Sequence, residues 1–216
     1  MGGTKKMSIK LEVWSEYACF TRPEYKAERM SYEAMTPSAA RGVLEAIYWK
    51  PEIRWVVDEI HVLAPIRWMS IRRNEVAGKA STNGAIYIED QRQQRTSLVL
   101  RDVRYGIVAH FDVLPSHKPG RDKSENTPEK HLAMFTRRVE RGQHFTQPYL
   151  GCREFAAHYR LATDGFSASR LPKSQRNWDL GWMLYDLAWP ETQAMVFKAQ
   201  MINGVVSVPA LRRLAQ

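Results

Sequence analysis

The sequence predicts an α+β fold: a ferredoxin-like domain with an inserted β-hairpin, followed by a small C-terminal antiparallel β-sheet region. Alternating and helical hydrophobic patterns follow one another in the order strand, helix, strands, helix, strand, which is the order of a split βαβ unit. The pattern changes after Thr163, and an Asn-Gly pair at residues 203–204 lies between two alternating runs, which is typical of a β-hairpin. We therefore expect two domains, residues 1–163 and residues 164–216.

Five segments of the first domain are predicted to be β-strands because apolar and polar residues alternate in them. These segments are residues 8–14, 53–64, 66–73, 103–113 and 149–159. The alternation changes parity near Asp58, which indicates a β-bulge. Residues 74–96 are mostly polar, and we expect them to form an irregular or hairpin-like insertion.

Two segments carry helical periodicity and clear end signals. Thr36 and Thr127 are good N-cap residues, and each is followed by a proline, which suits the first helical position. The first helix is expected to run until Pro51. It should present Tyr48 at the edge of its apolar face, with the hydroxyl free to reach solvent or substrate. The second helix is expected to end at Gly142.

The composition favours a polyanionic partner. The 216 residues include 32 Lys+Arg against 23 Asp+Glu, a formal net charge of +9, and 11% aromatic residues. A folded chain that is both basic and rich in aromatic residues is typical of nucleic-acid-binding proteins. No segment approaches the roughly 20 apolar residues of a membrane-spanning helix, so we expect a cytoplasmic protein without a membrane partner. Cys19 and Cys152 lack metal or redox spacing, so neither a disulfide framework nor a structural zinc is expected.

The first turn of the second predicted helix carries Lys130 and His131. A cation at a helix N-terminus is disfavoured by about 0.3–1 kcal/mol, and the same turn offers N–H groups that bind phosphate. Both side chains are therefore biased toward their neutral forms beside an anion site, where they could bind a phosphodiester and move protons on it. From these two residues alone, a solvated first turn without function remains the more frequent outcome.

Two longer segments carry a family resemblance. The first contains Ser31-Tyr32-Glu33-Ala34-Met35-Thr36-Pro37 and, further on, Ala46-Ile47-Tyr48-Trp49-Lys50-Pro51. The second contains Pro128-Glu129-Lys130-His131, Arg141-Gly142 and Tyr149-Leu150-Gly151-Cys152-Arg153-Glu154. With the C-terminal Asn203-Gly204 hairpin, these segments resemble the CRISPR-associated Cas-five family, Dvulg subtype. The resemblance covers nearly the whole chain, apart from residues 74–96 and 115–125.

This resemblance implies an RRM-like, RAMP-type domain and a metal-independent endoribonuclease without a cofactor. Such a protein cuts CRISPR repeat RNA in precursor crRNA on the 3′ side of the stem-loop. It then remains on the 5′ handle as a subunit of the type I-C Cascade complex, beside the backbone and large subunits. Two alternatives stay open: a non-catalytic RNA-binding scaffold that grips the crRNA 5′ handle, and, from the charge alone, a nucleic-acid binder that also binds duplex DNA.

The catalytic residues that the resemblance implies are Tyr48, Lys130 and His131. RNA cleavage by the 2′-hydroxyl needs proton transfer and stabilisation of the charged phosphorane, and it leaves a 2′,3′-cyclic phosphate and a 5′-hydroxyl. We expect His131 to act as general base or acid and Lys130 to stabilise charge. Tyr48 should provide the complementary proton-transfer or positioning group.

Basic and aromatic residues supply the candidate RNA contacts. They are Phe20, Arg22, Tyr25, Lys26, Arg29, Arg41, Lys50, Arg137, Arg138 and Arg141. Phe20 and Tyr25 are expected to stack on bases, and Arg41 is the preferred phosphate contact because it lies inside the matched segment. Four tryptophans are expected to pack inside the protein rather than contact RNA: Trp49, Trp55, Trp68 and Trp182.

Overall fold

The computed structural model describes residues 8–25, 27–78, 87–114, 127–188 and 193–210. These ranges contain the strands β1 (Ile9–Ala18), β2 (Ile53–Val62), β3 (Trp68–Val76), β4 (Arg92–Val113), β5 (His158–Leu161), β6 (Trp178–Ala188), β7 (Gln193–Ile202) and β8 (Val205–Ser207). They also contain the helices α1 (Pro37–Ile47), α2 (Ile88–Gln91) and α3 (Pro128–Glu140). The candidate RNA contact Lys26 and the loop at residues 115–125 lie outside the described ranges.

The strands form one sheet in the order β5-β1-β4-β2-β8-β7-β6, and β3 pairs with β4 outside this row. Every pairing between these strands is antiparallel. Residues 9–161 therefore pass through β1, α1, β2, β4, α3 and β5 in that order, with β3 and α2 inserted before the part of β4 that pairs with β2. The prediction of a mixed α/β fold with a mainly antiparallel sheet is confirmed.

The two long helices pack on the same face of the sheet. Leu11 of β1 and Ile107 of β4 share one buried cluster with Leu44 of α1 and Phe135 of α3. Trp55 of β2 contacts both helix segments: its ring centre lies 4.9 Å from that of Phe135 in α3, and its Nε1 donates to the Tyr48 carbonyl at the end of α1. Both helices therefore lie on the face of the sheet to which Trp55 points. None of the helices in the described part of the chain is long and apolar enough to cross a membrane.

The inserted hairpin is present, and its strands are longer than the sequence predicts. Residues Trp68–Val76 of β3 pair with Arg92–Leu100, the first part of β4. Asp102 has a φ of 53°, a left-handed conformation that is uncommon outside glycine, between the parts of β4 that pair with β3 and with β2. The predicted bulge near Asp58 is also confirmed, because the register of β2 against β4 shifts between Val57 and Glu59.

The prediction of a strand over residues 149–159 is wrong for most of its length. The strand β5 begins only at His158, and the preceding residues form a tight loop in which the Leu150 amide donates to the Phe155 carbonyl at 2.9 Å. Gly151 explains the difference. Its φ is +86°, and a Cβ there would lie 2.0 Å from the Cys19 carbonyl oxygen, so the chain turns where a side chain cannot fit. The apparent alternation reflects how a loop packs on the end of β1.

The C-terminal residues form the predicted antiparallel strands. Asn203 and Gly204 have φ values of 53° and 82° and form the turn between β7 and β8, as the sequence predicts. The pairing of β8 with β2 joins these strands to the sheet of the first 163 residues. A division into two domains after Thr163 stays a prediction.

Candidate active site

Tyr48 and His131, which are 83 residues apart in the chain, meet between α1 and α3. The Tyr48 hydroxyl oxygen lies 2.8 Å from His131 Nδ1, within hydrogen-bonding distance. Both side chains are enclosed: Tyr48 is 1% exposed and His131 is 6% exposed. The same hydroxyl lies 3.5 Å from Met134 Sδ, one turn further along α3, and can donate to it. The structure therefore brings together two of the three residues that the family resemblance implies.

The position of Tyr48 differs from the one predicted. The helix α1 ends at Ile47, and Tyr48 follows with extended dihedral angles of φ −150° and ψ 114°. This extended residue turns the ring inward rather than along the helix edge. The prediction that its hydroxyl reaches solvent is therefore wrong, because that hydroxyl is buried and contacts His131.

The end of α1 is held by hydrogen bonds from three other parts of the chain. Three consecutive carbonyls accept at 2.8 Å each: Ala46 from the Phe145 amide, Ile47 from Arg138 Nη1, and Tyr48 from Trp55 Nε1. The Arg138 guanidinium also lies 5.3 Å from the centre of the Tyr48 ring. The last carbonyls of a helix have no partner within the helix, so these contacts both end α1 and fix Tyr48.

The surroundings of the pair favour the neutral form of both side chains. Burial lowers the pKa of His131 below its ordinary value, Lys130 and Lys50 lower it further, and Glu52 opposes them. Burial likewise raises the pKa of Tyr48, and Arg138 opposes that rise. A neutral histidine carries one protonated and one unprotonated ring nitrogen, so it can accept a proton from a substrate. Glu52 was not among the predicted site residues.

Lys130 lies beside this pair but faces outward. Its side chain is exposed, and its amide donates to the N-cap oxygen of Thr127 at 3.3 Å, as the capping prediction requires. Pro128 has no N–H, and the Lys130 amide is used by Thr127. Two of the first-turn positions therefore do not offer an amide to phosphate. Phosphate binding at this turn therefore depends more on the Lys130 side chain than on the backbone N–H groups that the sequence suggests.

Several of the predicted RNA contacts make internal contacts in the fold. Arg22 binds both carboxylate oxygens of Glu33, at 2.9 and 2.8 Å. Arg41 lies 2.7 Å from Asp186 and 3.2 Å from Glu45. The other members of this group are Arg29, whose Nη1 lies 3.2 Å from Cys152 Sγ, and Arg138 at the end of α1. The preference for Arg41 as a phosphate contact is not supported by its surroundings, because both carboxylates already compensate its charge.

The predicted stacking residues divide between core and surface. The prediction for Phe20 is wrong: it is 2% exposed and packs edge-on against Tyr105, so no base can reach its ring. Tyr25 is exposed and keeps its predicted accessibility. Lys50 is partly exposed, and Arg137 and Arg141 are exposed on α3 and at its C-terminal end.

Two of the four tryptophans expected to pack inside are exposed. Trp55 is buried and Trp68 is partly buried, whereas Trp49 is 54% exposed and Trp182 is 66% exposed. A further exposed ring that the sequence analysis missed is Phe145, at 81%. A signal for it existed, because Phe145 is the one large apolar side chain in the polar run at residues 143–147 and no hydrophobic period includes it.

No group of three or more His, Cys, Asp or Glu side chains that could hold a metal ion occurs among the described residues. Cys19 and Cys152 are both free and buried. Fold and site together therefore define a basic mixed α/β protein with a buried tyrosine–histidine pair beside an exposed lysine.

The family model described as CRISPR-associated protein (Cas_Cas5), in its Cas5d form, matches residues 8–209. The chain belongs to this Cas5d family of CRISPR-associated proteins. It is 49% identical over 217 residues to the CRISPR pre-crRNA endoribonuclease Cas5d of Mannheimia succiniciproducens, covering 93% of this chain and 94% of that protein. It is 47% identical over 183 residues to the protein of the same name from Thermus thermophilus, covering 85% of this chain and 74% of that one.

A solved structure has the same overall fold. The crystal structure of a CRISPR-associated protein superimposes with a TM-score of 0.69 at 25% sequence identity, over 98% of this chain and 96% of the other.

Proposed function

We propose that this chain is an endoribonuclease that cleaves CRISPR repeat RNA in precursor crRNA, the activity for which its two relatives are named. The observation that carries the proposal is the 2.8 Å contact between the Tyr48 hydroxyl and His131 Nδ1, next to Lys130. RNA supplies its own nucleophile, the 2′-hydroxyl beside the scissile phosphate. The protein therefore has to supply proton transfer and charge stabilisation, and these three side chains are suited to both tasks.

His131 is the proposed general base or acid. Because Tyr48 contacts Nδ1, proton exchange with RNA passes through Nε2. When Nδ1 carries the proton it donates to the Tyr48 oxygen, the Tyr48 hydroxyl donates to Met134 Sδ, and Nε2 holds the lone pair that accepts the 2′-hydroxyl proton. Tyr48 is thus a positioning residue, since it fixes the ring and its tautomer without touching the RNA.

Lys130 is the proposed electrostatic group. Attack of the 2′-oxygen on phosphorus forms a crowded phosphorane, and the Lys130 ammonium at the surface of the site stabilises its added negative charge. The bond from phosphorus to the 5′-oxygen then breaks, and that oxygen takes up a proton, from His131 if it is the acid and from water if His131 is the base. The products carry a 2′,3′-cyclic phosphate and a 5′-hydroxyl. No metal ion is assigned a part in these steps.

The scaffold of this activity is proposed to be a ferredoxin-like, RRM-like domain of the RAMP type. The strand order β5-β1-β4-β2 with α1 and α3 on one face supports this assignment. We further propose that the cut falls on the 3′ side of the repeat stem-loop. The chain then keeps the 5′ handle as a subunit of the type I-C Cascade complex, beside the backbone and large subunits. Family membership supports these finer statements.

The decisive experiment is single-turnover cleavage of the CRISPR repeat RNA from the chain's own genome in excess chelator. We expect one cut with a 2′,3′-cyclic phosphate on the upstream product. A 2′-deoxy substitution at the scissile nucleotide should abolish it. Loss of activity in chelator, or cutting of the deoxy substrate, would contradict the mechanism. Tight binding of the repeat without any cut would instead favour the non-catalytic scaffold.

A further inference from the structure

The outer face of α3 carries a line of cationic side chains that begins at Lys130. Arg137 follows it by seven residues, and Arg141, the residue just after the helix, follows it by eleven, so the three span about 40° around the helix axis, along about 16 Å. All three are exposed. Within the described part of the chain, no ion pair holds Arg137 or Arg141, in contrast to Arg22 and Arg41. Their charges therefore remain available to an anionic partner.

An exposed aromatic ring lies just beyond the end of this line. Phe145 follows α3 by a short turn in which Gly142 has a φ of +61°. The amides of Phe145 and Thr146 both donate to the Ala46 carbonyl, at 2.8 and 3.2 Å. The backbone of the turn is thus fixed to α1 while the ring itself is 81% exposed. A ring on a fixed backbone beside a line of cations is placed where an unpaired base can stack on it.

A second exposed ring lies at the same end of α1. Trp49 follows Tyr48 directly, and successive side chains of an extended segment point to opposite sides. Tyr48 therefore faces His131, whereas Trp49 is 54% exposed. Trp49 thus points away from His131 and from the start of the cationic line, so we do not assign it to this surface.

We infer that a single-stranded segment of the RNA next to the scissile phosphate binds along this surface. Its phosphates contact Arg137 and Arg141, and an unpaired base stacks on Phe145. A cationic track with aromatic side chains beside it is the arrangement by which proteins hold single strands. This inference rests on the proposed function, because the site at Lys130 and His131 defines where the track begins.

The first test measures binding of repeat RNA that carries a 2′-deoxy group at the cut, so that cleavage does not interfere. Phe145→Ala should weaken the Kd by about 5- to 150-fold, the effect of losing one base–aromatic stack. Phe145→Tyr keeps a ring and should bind within about 3-fold of the wild type. The matched control is Trp182→Ala, which removes another exposed ring, 66% exposed on β6, and should leave the Kd unchanged.

The second test measures the phosphate contacts by their salt dependence. The double variant Arg137→Gln/Arg141→Gln should make the slope of log K against log salt shallower by about 1.4, because each contact to single-stranded RNA contributes about 0.7. A control with the same loss of charge, Arg170→Gln/Lys173→Gln, changes two exposed side chains elsewhere and should leave most of the slope. Equal slopes for the two double variants would mean that only net charge matters and would overturn the track.

The outcomes separate this inference from the proposed function. If the wild type does not cut repeat RNA, the proposed function is wrong whatever Phe145 does. If the wild type cuts while Phe145→Ala, Phe145→Tyr and Trp182→Ala bind alike, the stacking surface is wrong and the active site stands. RNA binding that is unchanged in the isolated variant, together with lost assembly of the complex, would assign the surface to a protein partner and also overturn the inference.

Discussion

At the scale of single residues, the arrangement of Tyr48 and His131 assigns them different tasks. Tyr48 is nearly fully enclosed, and its hydroxyl is occupied by His131, so it acts on the reaction only through the imidazole. His131 lies in the buried row of α3 with Phe135 and Val139, which fixes the ring plane by packing. Loss of His131 therefore affects both chemistry and stability, and a useful variant has to separate these effects.

Two amide substitutions of His131 make that separation. Asparagine places a polar atom near the position of Nδ1, whereas glutamine reaches toward Nε2. We expect His131→Asn to lower the single-turnover rate by about 10²–10⁴-fold, because proton transfer at Nε2 is lost. Its melting temperature should stay near that of the wild type. In His131→Gln the buried Tyr48 hydroxyl loses its nitrogen partner and keeps only the weak contact with Met134 Sδ, at a cost of about 1–3 kcal/mol, so the melting temperature should fall as well. A fully active His131→Asn would exclude His131 from proton transfer.

The charges around His131 predict how its titration responds to mutation. Lys130 lowers the pKa of His131 and Glu52 raises it. Lys130→Gln should therefore move the His131 limb of the pH–rate profile to higher pH, and Glu52→Gln should move it to lower pH. If His131 is the base, this limb is the acidic one, because the rate falls as His131 becomes protonated. A shift of the basic limb instead would identify His131 as the acid. Shifts in the same direction would contradict the geometry.

At the scale of elements, α3 serves two surfaces through neighbouring arginines. Arg138 donates to the Ile47 carbonyl and lies over the Tyr48 ring, whereas Arg137 faces outward. Arg138→Ala should cost about 1.5–3 kcal/mol of unfolding free energy, since a charged hydrogen bond to the end of α1 is lost. Cleavage should slow through displacement of Tyr48, with little change in the salt dependence of binding. Arg137→Ala should instead leave the unfolding free energy nearly unchanged and make the salt dependence of binding shallower. Chemical denaturation and salt titration of both variants check this, and equal loss of stability in the two would contradict it.

The sequence predicts best those element ends that are set by residues next to them in the chain. Both helix starts follow from a threonine N-cap and a proline, and both hydrogen bonds are present. The end of α1 could not be predicted in this way, because the groups that take its last carbonyls come from residues 55, 138 and 145. The same limit explains the candidate site. A pair of neighbours such as Lys130 and His131 is visible in the sequence. The ion pair between Arg41 and Asp186 is not, because Asp186 lies in a strand that is distant in the chain.

At the scale of the whole molecule, the sheet links the two regions that the sequence separates. Glu12 of β1 is fully buried and accepts hydrogen bonds from Arg104, Arg160 and Ser167. Burial alone would raise the pKa of Glu12, but the hydrogen bonds from Ser167 and Arg104 outweigh it, so the pKa is lowered. A carboxylate this enclosed needs all its partners, and Ser167 lies beyond the predicted domain boundary.

Two independent domains would require residues 1–163 to fold alone, and we expect that they do not. Cutting the chain after Thr163 removes β8 from the edge of β2 and deprives the Glu12 carboxylate of both Ser167 bonds. It also removes Leu180 and Met183 from the core cluster that contains Leu11. The net stability of a domain is only about 5–15 kcal/mol, so we expect the loss of these contacts together to leave the fragment unfolded. The fragment should lack the near-ultraviolet circular dichroism of the full chain and show no cooperative thermal transition. A fragment that melts cooperatively near the temperature of the full chain would establish the boundary at residues 163 and 164 instead.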